Sequence, residues 1–217
     1  MKLSRCFLIL LVLWGGCLRP SYAKHVPSIS VPFVSQPATN SLVPGSAVWH
    51  RSISITDFRT VLTGERESAG AICNAVRDRA ALLLRCEDFG PLLTHEPKAD
   101  DLMKGDYIAI AIFSVGNGAM TTRTFIINPR GEKVARDATS KIPWDPRWQS
   151  AVYKTPIGWT MYLSLPLTSI TAKDDHKWRM SILIGKTAAG TADIWPYVSA
   201  TPKAPMSYAA SAEVYGL

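Results

Sequence analysis

The chain has 217 residues, 47% of them hydrophobic and 19% charged, with 24 Lys and Arg against 17 Asp and Glu. That length and composition suit one globular domain with its own core, and exclude collagen-like, disordered and multi-span membrane chains. The formal charge of +7 includes three bases at the N-terminus, Lys2, Arg5 and Arg19, where there is no acid.

Lys2 and Arg5 precede an apolar run from Phe7 to Trp14, too short to span a bilayer but long enough for the core of a signal peptide. Ser21-Tyr22-Ala23 supplies small residues at the third and first positions before a cleavage site. Residues 1–23 therefore read as a leader removed after Ala23, and the remainder as a secreted or periplasmic chain without a transmembrane segment. The rival is lipid attachment at Cys17, which Trp14 three positions earlier fits poorly. Without the leader the excess of bases falls from seven to four. Bases and acids are intermixed, as in Arg77-Asp78-Arg79 and Lys173-Asp174-Asp175, so no basic stripe with interleaved aromatics marks nucleic acid as a partner.

Residues 24–45 contain Pro27, Pro32, Pro37 and Pro44, which favours an extended lead-in to a domain over residues 46–217. From Ile53 onward apolar residues recur with a period of two: Ile53 and Ile55; Leu82 and Leu84; Ile108, Ile110 and Ile112; Phe125 and Ile127; Trp159, Met161, Leu163 and Leu165; Met180, Ile182 and Ile184. Gly116-Asn117-Gly118, Asn128-Pro129-Arg130-Gly131 and Pro156-Ile157-Gly158 punctuate them as turns. Pro166 opens the one short helical turn, through Ile170. About eight or nine short strands with minimal helix predict an all-β, antiparallel two-sheet sandwich of the jelly-roll or immunoglobulin-like kind.

Cys73 and Cys86 are the two cysteines beyond the leader. A hairpin turning at Arg79-Ala80 sets them opposite each other, close enough for the disulfide that an export route permits. A redox or metal pair is the alternative, with no cysteine or histidine clustered nearby to support it.

Catalytic signatures are missing from the spacing. His25, His50, His95 and His176 form no i, i+4 metal pair and are assigned to solvent, and there is no Gly-x-Ser-x-Gly elbow. The acids Asp100, Asp101, Asp106, Asp137, Asp145, Asp174 and Asp175 fall in or near turns. They suit solvated loops or calcium, without EF-hand spacing, and nominate no glycosidase pair. The reading is a non-enzyme that needs no cofactor.

Asn128-Pro129-Arg130-Gly131, Trp144-Asp145-Pro146-Arg147-Trp148 and Gly158-Trp159-Thr160-Met161-Tyr162-Leu163-Ser164-Leu165-Pro166 carry a resemblance. With Trp49, Phe58, Arg77 to Leu82, Asp106, Phe125, Trp178 and Val214-Tyr215-Gly216-Leu217 in the same order, the sequence resembles family 9 carbohydrate-binding modules and related sandwiches over most of Val31 to Leu217. The resemblance implies a β-sandwich in which two aromatics hold a terminal sugar, with a glutamate and an arginine on adjacent strands. Those positions fall near Met103, Tyr208, Ala109 and Ile126, and Tyr162 replaces a further glutamate, so the inherited sugar site is expected to be lost or remodelled.

The candidate contacts for a saccharide or glycan-bearing surface are then the aromatics and polar residues of loops: Trp144, Asp145, Arg147, Trp148, Trp195, Tyr197 and Tyr208. Trp49, Trp159 and Trp178 are assigned to the core, and Trp144, Trp148 and Trp195 stand open between core and binding platform. Two alternatives come from other classes. Haem-binding sandwiches related to this family would require axial ligands such as His95, Met103 or Met120, and a structural envelope domain would bind a protein partner and no small molecule.

Overall fold

The period-two runs become strands in the computed structural model, which describes residues 26–35, 40–66, 70–90, 99–116, 119–140, 144–170, 177–186, 190–198 and 206–217. The leader and His25, His95 and His176 lie outside the described residues, while His50 is exposed. In chain order the strands are β1 (Ser28–Ser30), β2 (Ile53–Ile55), β3 (Arg59–Thr60), β4 (Ile72–Arg77), β5 (Ala81–Phe89), β6 (Tyr107–Gly116), β7 (Ala119–Ile127), β8 (Lys133–Asp137), β9 (Gln149–Thr155), β10 (Gly158–Pro166), β11 (Lys177–Lys186), β12 (Thr191–Trp195) and β13 (Ala212–Tyr215). Helix is confined, among the described residues, to α1 (Leu167–Ile170) and a few 3-10 turns. The thirteen strands among the described residues exceed the eight or nine expected chiefly because β1, β3 and β13 have two to four residues each and show no period-two run.

The strands form two sheets. The larger runs β1-β13-β11-β6-β7-β8, with β12 pairing the second half of β11 and β3 pairing β12; the smaller runs β2-β4-β5-β10-β9. Register decides which residues meet between them. Ile108, Ile110 and Ile112 of β6 stand opposite Ile127, Phe125 and Arg123 of β7, and the five apolar members of this row enter the main core with Leu82, Leu84, Trp159, Met161, Leu163 and Ile182. The alternate positions, Ala109, Ile126 and Leu183, face away and form a second apolar cluster with Leu102, Tyr107 and Ile194 on the outer side of the larger sheet. A third cluster, Val34, Trp49, Val76, Leu83 and Tyr162, covers part of the smaller sheet's outer side.

Cys73 pairs with Cys86 across the β4–β5 hairpin, their Cα atoms 4.0 Å apart, and the two form a disulfide. Trp49, Trp159 and Trp178 are buried, as assigned. The proline-rich lead-in closes one edge of the sandwich. Its β1 runs parallel to β13, Val31 donates to the Tyr215 carbonyl at 2.9 Å, and Val34 donates to the Arg77 carbonyl at 2.8 Å, so one extended segment ties the two sheets. Gly216 allows that approach. Its φ is +85°, and a Cβ there would lie 2.8 Å from the Val31 carbonyl oxygen.

Polar groups are also buried between the sheets at one end. Lys186 is the next inward position after Met180, Ile182 and Ile184, and its Nζ lies 3.0 Å from Asp193 Oδ2 and 3.5 Å from Asp88 Oδ1. Asp88 also accepts from the Trp159 indole at 3.3 Å. Burial pushes the Asp88 carboxyl above its ordinary value, against the opposing pull of Lys186.

Candidate functional site

The edge opposite the lead-in is closed by the segment joining β8 to β9, which crosses from the larger sheet to the smaller one. Trp148 is buried there and Trp144 half-buried, and their ring centroids lie 5.4 and 5.5 Å from that of Phe125, each in an edge arrangement. A cation covers each indole. The Arg123 guanidinium lies 5.4 Å from the Trp144 ring centre, and the Lys133 ammonium lies 4.6 Å from that of Trp148 while donating to the Trp148 carbonyl at 3.0 Å.

Arg123 and Lys133 occupy inward positions of β7 and β8 in line with Phe125 and Ile127. Arg123 Nε donates to Asp137 Oδ2 at 3.4 Å. Burial would raise the Asp137 carboxyl, but donation from the Thr139 hydroxyl and amide, with the charge of Arg123, holds it below its ordinary value. Burial pushes the Lys133 ammonium down, against the pull of Asp145. Asp145 and Arg147 point to solvent on either side of the buried Pro146. A half-covered indole flanked by an exposed acid and an exposed base can stack on an apolar ring face and hydrogen-bond the groups at its rim.

The other sequence-predicted residues lie elsewhere. Tyr208, in a 3-10 turn over the larger sheet's outer side, is half-buried, with Arg179 4.4 Å from its ring centre and Phe113 at 6.2 Å. Arg179 Nη1 donates to the Tyr208 carbonyl at 2.7 Å. Trp195 packs against the main core, and Tyr197 packs on the second cluster with its ring against Gly64. Thus Trp144, Asp145, Arg147 and Trp148 share one edge, while Tyr208, Trp195 and Tyr197 do not join them. Ala109, Ile126 and Tyr162 are 0%, 1% and 2% exposed, and packing occupies all three.

Met103 and Met120 are exposed, and Met120 pairs with Val115 near the far end of β6 from Met103. The eight steps between Tyr107 and Val115 alone span about 27 Å of strand, too far for both sulfurs to ligate one haem. Among the described residues no group of three His, Cys, Asp or Glu is arranged to hold a metal ion, and no helix is long and apolar enough to cross a membrane.

Sequence reasoning missed Arg123, Lys133 and the buried Lys186 pair. For Arg123 and Lys186 the signal was present: each is a charge where an apolar alternation would continue, two residues before Phe125 and two after Ile184, whereas the strand of Lys133 has only Ala135 as an apolar residue on that face and gave no such signal.

No family model matches the sequence, and no curated protein matches it. Solved structures do. A family 9 carbohydrate-binding module from Caldicellulosiruptor kristjanssonii in complex with glucose aligns with a TM-score of 0.62 at 13% identity, over 87% of this chain and 94% of that one. The same kind of module from that organism with cellotriose gives 0.62 at 12%, over 87% and 92%. A provisionally assigned carbohydrate-binding protein from Bacteroides uniformis ATCC 8492 gives 0.63 at 11%, over 88% and 99%. The chain therefore has the fold of family 9 carbohydrate-binding modules.

Proposed function

We propose that this chain is an exported, non-catalytic saccharide-recognition sandwich that binds at the edge built by Trp144, Asp145 and Arg147, with buried Trp148 as its anchor. The observation that carries the reading is the half-buried Trp144 indole beside an exposed acid and base, on a sandwich whose fold is shared with modules solved with glucose and cellotriose. Recognition is by stacking of sugar C–H groups on the indole and hydrogen bonds to hydroxyls, without bond cleavage. The partner is a saccharide or a glycan-bearing surface, and a protein of the cell envelope carrying such a glycan fits the same description.

The test is a titration of the exported chain with monosaccharides and short oligosaccharides, followed by tryptophan fluorescence and calorimetry. Saturable binding that Trp144→Ala removes while the circular dichroism spectrum is kept is the expected result. Binding unaffected by Trp144→Ala would move the site to another face, and no binding by any saccharide would overturn the reading.

A further inference from the structure

The edge that carries Trp144 is also where the positive charge of the chain collects. Between Arg123 and Thr155 the sequence has seven Lys and Arg and three acids, an excess of four. That equals the whole excess of residues 24–217, so the remainder of that stretch is balanced. Much of this stretch lies along one edge, because β8 borders the larger sheet, β9 borders the smaller, and their connection joins the two; Lys141 lies outside the described residues.

Neutralisation within the edge is incomplete. Arg130 pairs with Glu132 at 2.8 Å, Arg123 pairs with Asp137 at 3.4 Å, and Asp145 pulls on Lys133. The acids are then accounted for. Arg147 on the connection and Lys154 on β9, which is paired with the inward Trp159, are exposed, and neither has an ion pair among the described residues; Arg136 is exposed too but alternates with Ala135 and Asp137, and so faces the outer side of the larger sheet. Exposed bases without acidic partners along one edge give it a positive field that favours an anionic ligand.

We infer that the saccharide is an anionic one, bearing carboxylate or sulfate groups, and that it lies along the β8–β9 edge with its charges on Arg147 and Lys154 and a ring on Trp144. This rests on the saccharide reading above and adds the ligand's charge to it. Guanidinium groups suit the inference because they meet carboxylate and sulfate oxygens with paired donors.

The experiment compares four probes on the exported chain: an oligogalacturonate, a sulfated oligosaccharide, an uncharged oligosaccharide of the same length, and duplex DNA. At least one acidic saccharide should bind about tenfold or more tightly than the neutral one, and should weaken severalfold between about 0.05 and 0.5 M NaCl. Which of the two acidic arms wins identifies carboxylate or sulfate as the source of the charge. Arg147→Glu should abolish the preference, and Lys154→Glu, on a different element, should reduce it with the fold intact by circular dichroism. Equal affinity for neutral and acidic saccharides, both lost in Trp144→Ala, would overturn the anionic inference and leave saccharide binding standing. An acidic preference untouched by both charge reversals, or DNA bound as tightly as the acidic saccharides, would also overturn it. Failure of every saccharide would bring down both readings.

Discussion

The two edges of the sandwich are closed by different means. On the lead-in side the seal is main chain. Val31 donates to Tyr215, Glu213 to Pro27, Val34 to Arg77 and Arg77 to Pro32, all at 2.8 to 2.9 Å, while Ile29, Val31 and Val34 are buried beneath. On the β8–β9 side the seal is side chain, with two indoles resting on Phe125 and a cation over each. A seal made by strand pairing satisfies its own donors and acceptors and leaves little polar capacity facing out. A seal made of rings and charged side chains leaves half an indole and several charges at the surface. The comparison teaches where recognition can reside on a sandwich whose larger sheet has its outer side filled by Leu102, Ala109, Ile126, Leu183 and Ile194.

The largest effect should come from removing the side-chain seal. Trp148→Ala empties a buried site against Phe125 and is expected to lower the unfolding free energy by about 3–5 kcal/mol in urea titrations. A loss below ~1 kcal/mol would mean that the connection does not close the edge at all. On the opposite side Ile29→Ala, in a three-residue strand at the chain's margin, should lose about 2 kcal/mol, the low end for such truncations. The two sites share no contact, so the double variant should show additive losses, and strong coupling between them would break the picture of independent seals. The disulfide lies behind the lead-in, since β4 carries both Cys73 and the Arg77 to which the lead-in bonds. Replacing both cysteines by alanine should lower stability by about 2–3 kcal/mol through the freed 13-residue span, without altering saccharide binding.

Much of this contrast could be read from the sequence, and the part that could not has a physical cause. Ile108 to Ile112, Trp159 to Leu165 and Met180 to Ile184 announced two-faced strands because alternation over five or more residues matches the two-residue repeat of a strand and not the 3.6-residue turn of a helix. The cysteine pairing followed from the register of one short hairpin. By contrast, Trp144 and Trp148 could not be assigned to core or surface, because the answer depends on Phe125, Arg123 and Lys133, which reach them only through the pairing of β6, β7 and β8. Tyr197 and Trp195 looked equally available in the sequence. Their packing against Gly64 and the main core, which leaves both half-buried, depends on β12 meeting β3 and β11, contacts between segments far apart in the chain. The collected charge of the β8–β9 edge was hidden for a similar reason. Its members are spaced among the strand and turn residues of one stretch, and which of them face the edge depends on how the connection crosses between the sheets.

The smallest expected effect is the pH response of the side-chain edge, and its sign separates it from the opposite end of the core. Asp137 accepts from the Thr139 amide at 2.9 Å and hydroxyl at 2.5 Å and faces Arg123, so its folded pKa lies below the ordinary 3.8. Around pH 3.8 the unfolded chain takes up a proton here that the folded chain refuses. The stability Asp137 contributes is therefore fully present above that range and is lost as pH falls through the folded value. Asp88 behaves oppositely. Burial raises its pKa, so the folded state keeps a proton the unfolded state has released, and its contribution declines as pH climbs from 3.8 to the folded value. Acidification should thus loosen Arg123 from its partner, changing Trp144 fluorescence, while relieving the buried charge of Asp88 between the sheets. A titration from about pH 6 to about pH 2 should show a fluorescence change at its acid end that Asp137→Asn removes and Asp88→Asn leaves in place. If Asp88→Asn removed it instead, the acid response would belong to the Lys186 cluster, and the indoles at the edge would be held by packing on Phe125 without help from the Arg123–Asp137 pair.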